Sequence, residues 1–182
     1  MQVGSRRCIC NPVSGDGGHA DHVERLLSAR GFAVERTEKP GDALELGRAA
    51  GEDGVSELAV AGGDGTVNEV VRGLASAAHL EDVTLSVVPV GTANLLATQI
   101  GVTDRRQGVE VADTGDTRRV DVGFADGEPF LVSCIAGLPA DASLAASGEL
   151  KARFGTLAFL LTGAQEAIEF DGLDISLEAI GE

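Results

Sequence analysis

Leu58-Ala59-Val60-Ala61-Gly62-Gly63-Asp64-Gly65-Thr66-Val67-Asn68-Glu69-Val70-Val71 decides how the rest of the chain is read, because an apolar run breaks into three glycines around an aspartate and resumes at helical spacing. The pattern predicts a strand, a phosphate-binding loop and a helix. Glycines at 62, 63 and 65 let the backbone turn sharply and approach a ligand where a Cβ would collide. The helix behind them aims unpaired N–H groups at whatever sits there, which makes an anion site. Thr66 is placed as the N-cap, Glu69 three residues on completes a capping box, and Val67, Val70, Val71 and Leu74 form the inward stripe. A carboxylate in a loop that attracts anions is unhelpful for phosphate alone, but it becomes sensible if Mg²⁺ links Asp64 to phosphate oxygens. The bland alternative is a Gly-Asp-Gly turn ahead of a capped helix. No Lys follows the glycines, which excludes a Walker loop, and the spacing is not G-x-G-x-x-G, which excludes the dinucleotide fingerprint. A branched side chain at Gly63 is expected to obstruct a bound nucleotide.

Other strand-to-helix junctions flank this one. Arg7 to Cys10 reads as a strand ending in Asn11-Pro12-Val13-Ser14-Gly15-Asp16-Gly17-Gly18, after which Val23, Leu26 and Leu27 give helical spacing until Gly31. Pro12 fixes one backbone angle and the glycines free the rest, so the loop can wrap an adenosine or a phosphate while Asn11 and Ser14 donate hydrogen bonds. Taken alone, the segment is also good turn chemistry. Phe32 and Val34 belong to a strand ending near Thr37, and Pro40-Gly41-Asp42 caps the next helix. Thr37 thus stands at a strand's C-terminal end, where open α/β sheets bind ligands. Val83 to Val88 is an apolar run suited to a parallel strand covered on both faces. Gly91-Thr92-Ala93-Asn94 then opens a helix that carries Leu95, Leu96 and Ile100. In an alternating β/α chain, such junctions converge on one edge of the sheet.

Gly62-Gly63-Asp64-Gly65-Thr66 with Asn68-Glu69, Asn11-Pro12-Val13-Ser14-Gly15 and Pro89-Val90-Gly91-Thr92-Ala93-Asn94 together resemble the diacylglycerol kinase catalytic family, which includes sphingosine and ceramide kinases. The NAD kinase and phosphofructokinase group is a more distant likeness, and the N-terminal block favours the lipid branch. The resemblance implies an α/β, three-layer nucleotide-binding domain over 1–117, followed over 118–182 by the beginning of a β-rich sandwich domain. It implies transfer of the ATP γ-phosphoryl group to a lipid hydroxyl with Mg²⁺ as the metal. The nucleotide would then be held by Asn11, Pro12, Val13, Ser14, Gly15, Thr37, Gly62, Gly63, Asp64, Gly65, Thr66, Asn68, Glu69, Gly91, Thr92 and Asn94. Asp64 would organise the metal or accept the hydroxyl proton. Asp121, in a segment similar to the family's Val/Ile-Asp-Val strand, would orient the acceptor, although periodicity alone makes it an outward polar residue on that strand. The family places an acidic residue after the Asn of the third block, whereas this chain has Leu95.

Composition bounds the remainder. A chain of 182 residues with 43% hydrophobic content supports one full core and part of a second. No apolar run approaches the ~20 residues of a membrane span, and residues 1–7 lack the apolar region of a secretion signal, so a cytoplasmic protein, compatible with peripheral attachment to a membrane, is expected. Cys8, Cys10 and Cys134 read as reduced, mostly buried hydrophobes, and His19, His22 and His79 as helix-surface residues. A formal net charge of −15 argues against a nucleic-acid partner. Only Lys39 and Lys151 are lysines, and that bias together with abundant Asp and Glu suggests the acidic surface of a halophile. Composition leaves the oligomeric state open, a homodimer included.

From Arg118, Val120, Val122 and Phe124 alternate as a strand and Asp126-Gly127 marks a hairpin turn. Residues 136–142 and 151–159 look like the family's segments entering its sandwich, and a strand-like Leu173 to Leu177 would have unpaired edges if the sandwich stopped there, so a truncated domain, a shortened open reading frame or half of a split protein is expected. Two other functions stay open: a soluble-metabolite kinase of the NAD kinase type, and a nucleotide-binding module without catalysis.

Overall fold

The structure, a computed structural model, describes residues 5–132. The expectations for Cys134, for 136–142 and 151–159 and for Leu173 to Leu177 lie outside the described residues. Strands β1 (Arg6–Cys10), β2 (Ala33–Arg36), β3 (Glu57–Gly62) and β4 (Thr84–Pro89) alternate with helices α1 (Ala20–Ser28), α2 (Asp42–Glu52) and α3 (Asp64–Ser76). Two further helices, α4 (Leu95–Gln99) and α5 (Arg105–Thr114), precede a hairpin of β5 (Gly123–Ala125) and β6 (Glu128–Phe130). The first four strands form one parallel sheet in the order β2-β1-β3-β4.

Alternation along the strands divides the core in two. Cys8, Cys10, Ala59, Ala61 and Val88 face α1 and α5, packing against Val23, Leu27 and Val109. Ile9, Leu58, Val60 and Val87 face the opposite side, packing against Ala43 and Ala50 of α2 and Val67, Val70 and Leu74 of α3. The result is a three-layer α/β/α arrangement, as expected for parallel strands with no solvent-facing side. Burial raises the thiol pKa values of both Cys8 and Cys10, so they are inert apolar filling rather than nucleophiles. The buried Arg7 is paired with Glu35 and Asp53, which supplies the partners that a desolvated guanidinium requires.

Helices α2 and α3 approach closely because each places a glycine at the contact. A Cβ built on Gly47 would lie 2.6 Å from the Val70 carbonyl oxygen, and one on Gly73 would press into the Leu44 carbonyl oxygen.

Several sequence expectations require correction. Helix α3 begins at Asp64, with Gly63 as N-cap and no side-chain cap, so the box at Thr66 and Glu69 does not form. Gly63 is already extended and feeds directly into the helix, which places Thr66 inside the first turn. The extended run from Arg118 is shorter than its alternation suggests: β5 starts at Gly123, while Val120 is exposed and Asp121 lies ahead of the strand. Asp126-Gly127 does form the hairpin turn, both residues having the positive φ that a two-residue connection needs. His19 is buried as the N-cap of α1. Sequence reading also passed over α5, whose signature was present: Asp104 accepts from the Gln107 N–H at 2.9 Å, and Gln107 Oε1 accepts from the Thr103 N–H at 2.8 Å.

Candidate active site

The sheet reverses its winding between β1 and β3, since the chain passes from β1 outward to β2 and later from β3 outward to β4. Crevices for ligands open at such a switch point, beyond the carboxyl ends of the strands. Here that position lies between the Asn11 loop after β1 and the Gly63 turn after β3. The two are tied together: the Asn11 N–H donates to the Ala61 carbonyl at 2.9 Å, and Asn11 Nδ2 donates to Thr66 Oγ1 at 3.0 Å. Thr66 therefore uses its buried hydroxyl to fix the first loop against α3 rather than to cap its own helix.

The third loop closes on the second. A Cβ at Gly63 would stand 3.2 Å from the Gly91 Cα, and one at Gly91 would run into the Gly63 Cα, so the two backbones touch as only glycines allow. Asn94 has the left-handed conformation (φ 49°); its side chain accepts from the Gly91 N–H at 2.9 Å and donates to the Gly91 carbonyl at 2.7 Å. Gly15 (φ +59°) rests against the Val90 carbonyl, where any side chain would collide. A substitution at Gly63 would thus disturb Gly91 before it met any nucleotide, which makes that position a poor isolated probe of phosphate binding.

Asp64 is the first residue of α3, half buried, and its Oδ1 accepts from the Leu96 N–H at 3.1 Å. Oδ2 makes no hydrogen bond among the described residues. The carboxylate is thereby oriented by one backbone donor and keeps one oxygen for another partner. No group of three or more His, Cys, Asp or Glu suited to a metal occurs among the described residues. A lone carboxylate beside N–H groups nevertheless fits Mg²⁺, which is held by one or two carboxylates together with nucleotide phosphates and water.

The other expected site residues are placed as follows. Thr37 is buried where β2 ends, its N–H donating to the Cys10 carbonyl at 3.0 Å. Pro12, Val13 and Ser14 form the first loop, which is shaped by Asn11 Oδ1 accepting from the Val13 N–H at 3.1 Å. Val13 is 81% exposed. Gly62 lies under Thr66, and a Cβ there would sit 2.5 Å from the Thr66 Cβ. Gly65 is open, with nothing within 4 Å of a Cβ built on it. Asn68 and Glu69 lie about one turn along α3, half buried. Asp121 is exposed and makes no hydrogen bond or ion pair among the described residues, so the loop network does not include it.

A cleft of about 400 Å³ opens beside these loops, lined by Gly15, Asp16, Val90, Gly91, Thr92, Asn94 and, from the start of α5, Thr103, Asp104 and Arg105. Arg105 Nη2 lies 3.3 Å from Asp16 Oδ2 and links the first loop to α5. The Gly18 N–H and then the Arg105 guanidinium hold the Asp16 carboxyl below the usual carboxylate range. Sequence reading missed Arg105 because it missed the helix that begins there.

Glycine-bearing loops that meet a helix N-terminus at the switch point of a parallel sheet define an open, three-layer α/β class of protein. The family model of the diacylglycerol kinase catalytic domain matches residues 6–125. A diacylglycerol kinase of Staphylococcus carnosus is 32% identical over 97% of this chain and 59% of its own length, and one of Bacillus subtilis is 31% identical over 97% and 60%. A crystal structure of a diacylglycerol kinase from Bacillus anthracis superposes with a TM-score of 0.61 at 29% identity, covering 70% of this chain and 48% of that one. The chain belongs to the diacylglycerol kinase catalytic domain family. It spans about three-fifths of the length of the curated relatives it matches.

Proposed function

We propose that the chain belongs to a kinase that transfers the γ-phosphoryl group of ATP to the hydroxyl of diacylglycerol or a related lipid. The observation that carries this reading is the set of interlocked loops at the sheet's carboxyl edge, in which Asp64 is oriented by the Leu96 N–H beside the free N–H groups of the first turn of α3. Those N–H groups would hold phosphate oxygens, and the Asn11 loop and the Gly91 loop would flank the nucleotide. Asp64 would bind Mg²⁺, which when present neutralises phosphate charge, or would take the proton of the attacking hydroxyl. In phosphoryl transfer most of the protein's task is positioning and charge stabilisation, which rigid loops supply. Asp121 would orient the lipid hydroxyl. Among the described residues no helix is long and apolar enough to cross a membrane.

The test is radiolabelled phosphate transfer from Mg·ATP to diacylglycerol in mixed micelles, with NAD as the alternative acceptor. Transfer to NAD alone would replace this reading with a soluble-metabolite kinase. ATP binding without transfer to either would replace it with a binding module.

Gly65→Ala offers a clean probe of the phosphate loop. The added methyl meets no protein atom, and Ala favours helix over Gly by up to about 1 kcal/mol, so the thermal midpoint should hold or rise. If phosphate sits against this turn, ATP affinity measured by calorimetry should fall by about tenfold, or ~1.4 kcal/mol. Undiminished affinity would place the phosphates elsewhere.

The acidic surface is read here as a high-salt adaptation. Screening length falls from about 10 Å at 0.1 M salt to roughly 3 Å at 1 M, which removes most repulsion between exposed carboxylates. The thermal midpoint should therefore climb steadily from about 0.1 M to about 3 M KCl, well past the physiological plateau of an ordinary acidic protein. A flat midpoint would give the net charge of −15 another origin.

A further inference from the structure

His19 stands at the N-cap of α1 with its side chain fully buried, and its Nε2 lies 3.0 Å from the carbonyl oxygen of Asn11. A carbonyl only accepts, so Nε2 carries a proton. Among the described residues Nδ1 is a buried side-chain atom without a hydrogen-bond partner. The carboxylate of Asp16 comes no nearer than 3.9 Å and is engaged instead by the Gly18 N–H and Arg105. A buried, unpaired nitrogen costs about 1–3 kcal/mol. Stability alone therefore does not account for an imidazole here, where an aliphatic side chain would leave nothing unsatisfied on its own part.

What the ring does make is a bond to Asn11, the residue that organises the first loop. The Asn11 N–H is fixed to β3, its Oδ1 accepts from Val13, and its Nδ2 holds Thr66 in the first turn of α3. We propose that His19 is a positioning residue for the nucleotide site, its Nε2–H setting the Asn11 peptide and hence the side-chain bridge from Val13 to Thr66. The proposal rests on the kinase reading for its consequence in ATP binding, but its geometry does not. The Ser14 N–H also donates to the Asn11 carbonyl, at 3.3 Å, so loss of the imidazole leaves that oxygen with a partner.

His19→Gln keeps an N–H near the position of Nε2, whereas His19→Leu removes it and also removes the orphaned nitrogen. Three quantities are compared on the full chain: thermal midpoint, Mg·ATP affinity by calorimetry, and hydrogen exchange of the Val13 and Gly17 amides without nucleotide. The Gln variant should stay within about threefold of wild type in affinity and exchange. The Leu variant should match or exceed the wild-type midpoint, yet bind ATP about tenfold more weakly and exchange its Val13 amide faster. A purely structural role would instead lower midpoint and affinity together in both variants, and would overturn the proposal. Unchanged Val13 exchange in His19→Leu would also overturn it, as would undiminished affinity. If the wild-type chain binds no ATP, the kinase reading fails and the exchange comparison alone decides the role of His19: faster exchange in the Leu variant but not the Gln variant upholds it.

Discussion

Asp64→Asn is expected to lower phosphoryl transfer by about 10³-fold while leaving the thermal midpoint within a degree or so of wild type, because the substitution removes charge without removing shape. The Asn side chain still offers an oxygen to the Leu96 N–H, the bond that Asp64 Oδ1 makes at 3.1 Å, so the α3–α4 junction keeps its geometry. A neutral amide, however, neither attracts a divalent cation nor accepts a proton from a lipid hydroxyl. Initial rates of transfer to diacylglycerol and a thermal melt check both halves. Turnover within a few-fold of wild type would remove Asp64 from the chemistry and leave it a structural role at the start of α3. A large fall in midpoint would show that the negative charge itself stabilises the helix N-terminus, to which the macrodipole contributes about 0.3–1 kcal/mol.

The second large effect concerns the fold. Gly73→Val should destabilise the domain by about 3 kcal/mol or more, enough to lower the midpoint by roughly 10 °C. A side chain at position 73 would press into the Leu44 carbonyl and come within 2.7 Å of the Arg48 nitrogen and 3.1 Å of the Gly47 carbonyl carbon. These are backbone atoms of α2, so no rotamer change can relieve the contact, and the two helices must separate. Valine also branches at Cβ, which crowds the preceding turn of its own helix. Gly18→Ala is the control: a Cβ there meets nothing within 4 Å, and its effect should stay within about 0.5 kcal/mol. Equal stability for the two variants would mean that α2 and α3 do not pack through their glycines.

Local sequence was sufficient wherever the determinant was itself local. The apolar runs ending at Cys10, Gly62 and Pro89 had to be strands covered on both faces, and the loops after them had to share an edge once α and β elements alternated. The Asp126-Gly127 turn was equally legible, since two consecutive positive φ angles are a demand that few dipeptides meet. The family followed from residues in three blocks, and the match over 6–125 bears that out. Tertiary structure decided matters that depend on partners distant in the chain. Thr66 looked like a cap because a hydroxyl three residues before a glutamate usually is one, but Asn11, 55 residues earlier, claims that hydroxyl across the sheet. His19 looked like a surface residue because its neighbours on both sides are polar or small; it is buried because the Asn11 loop folds back over the start of α1 and offers a carbonyl to its ring. Asp64 is oriented by the backbone of Leu96, a donor that carries no side-chain identity and so leaves no mark in the sequence. Gly47 and Gly73 sit in unremarkable helical patterns, and nothing in either helix alone says that the two must touch. Periodicity and turn chemistry report what a segment does with its own backbone, whereas long-range hydrogen bonds and close approaches are fixed only when the sheet brings distant segments together.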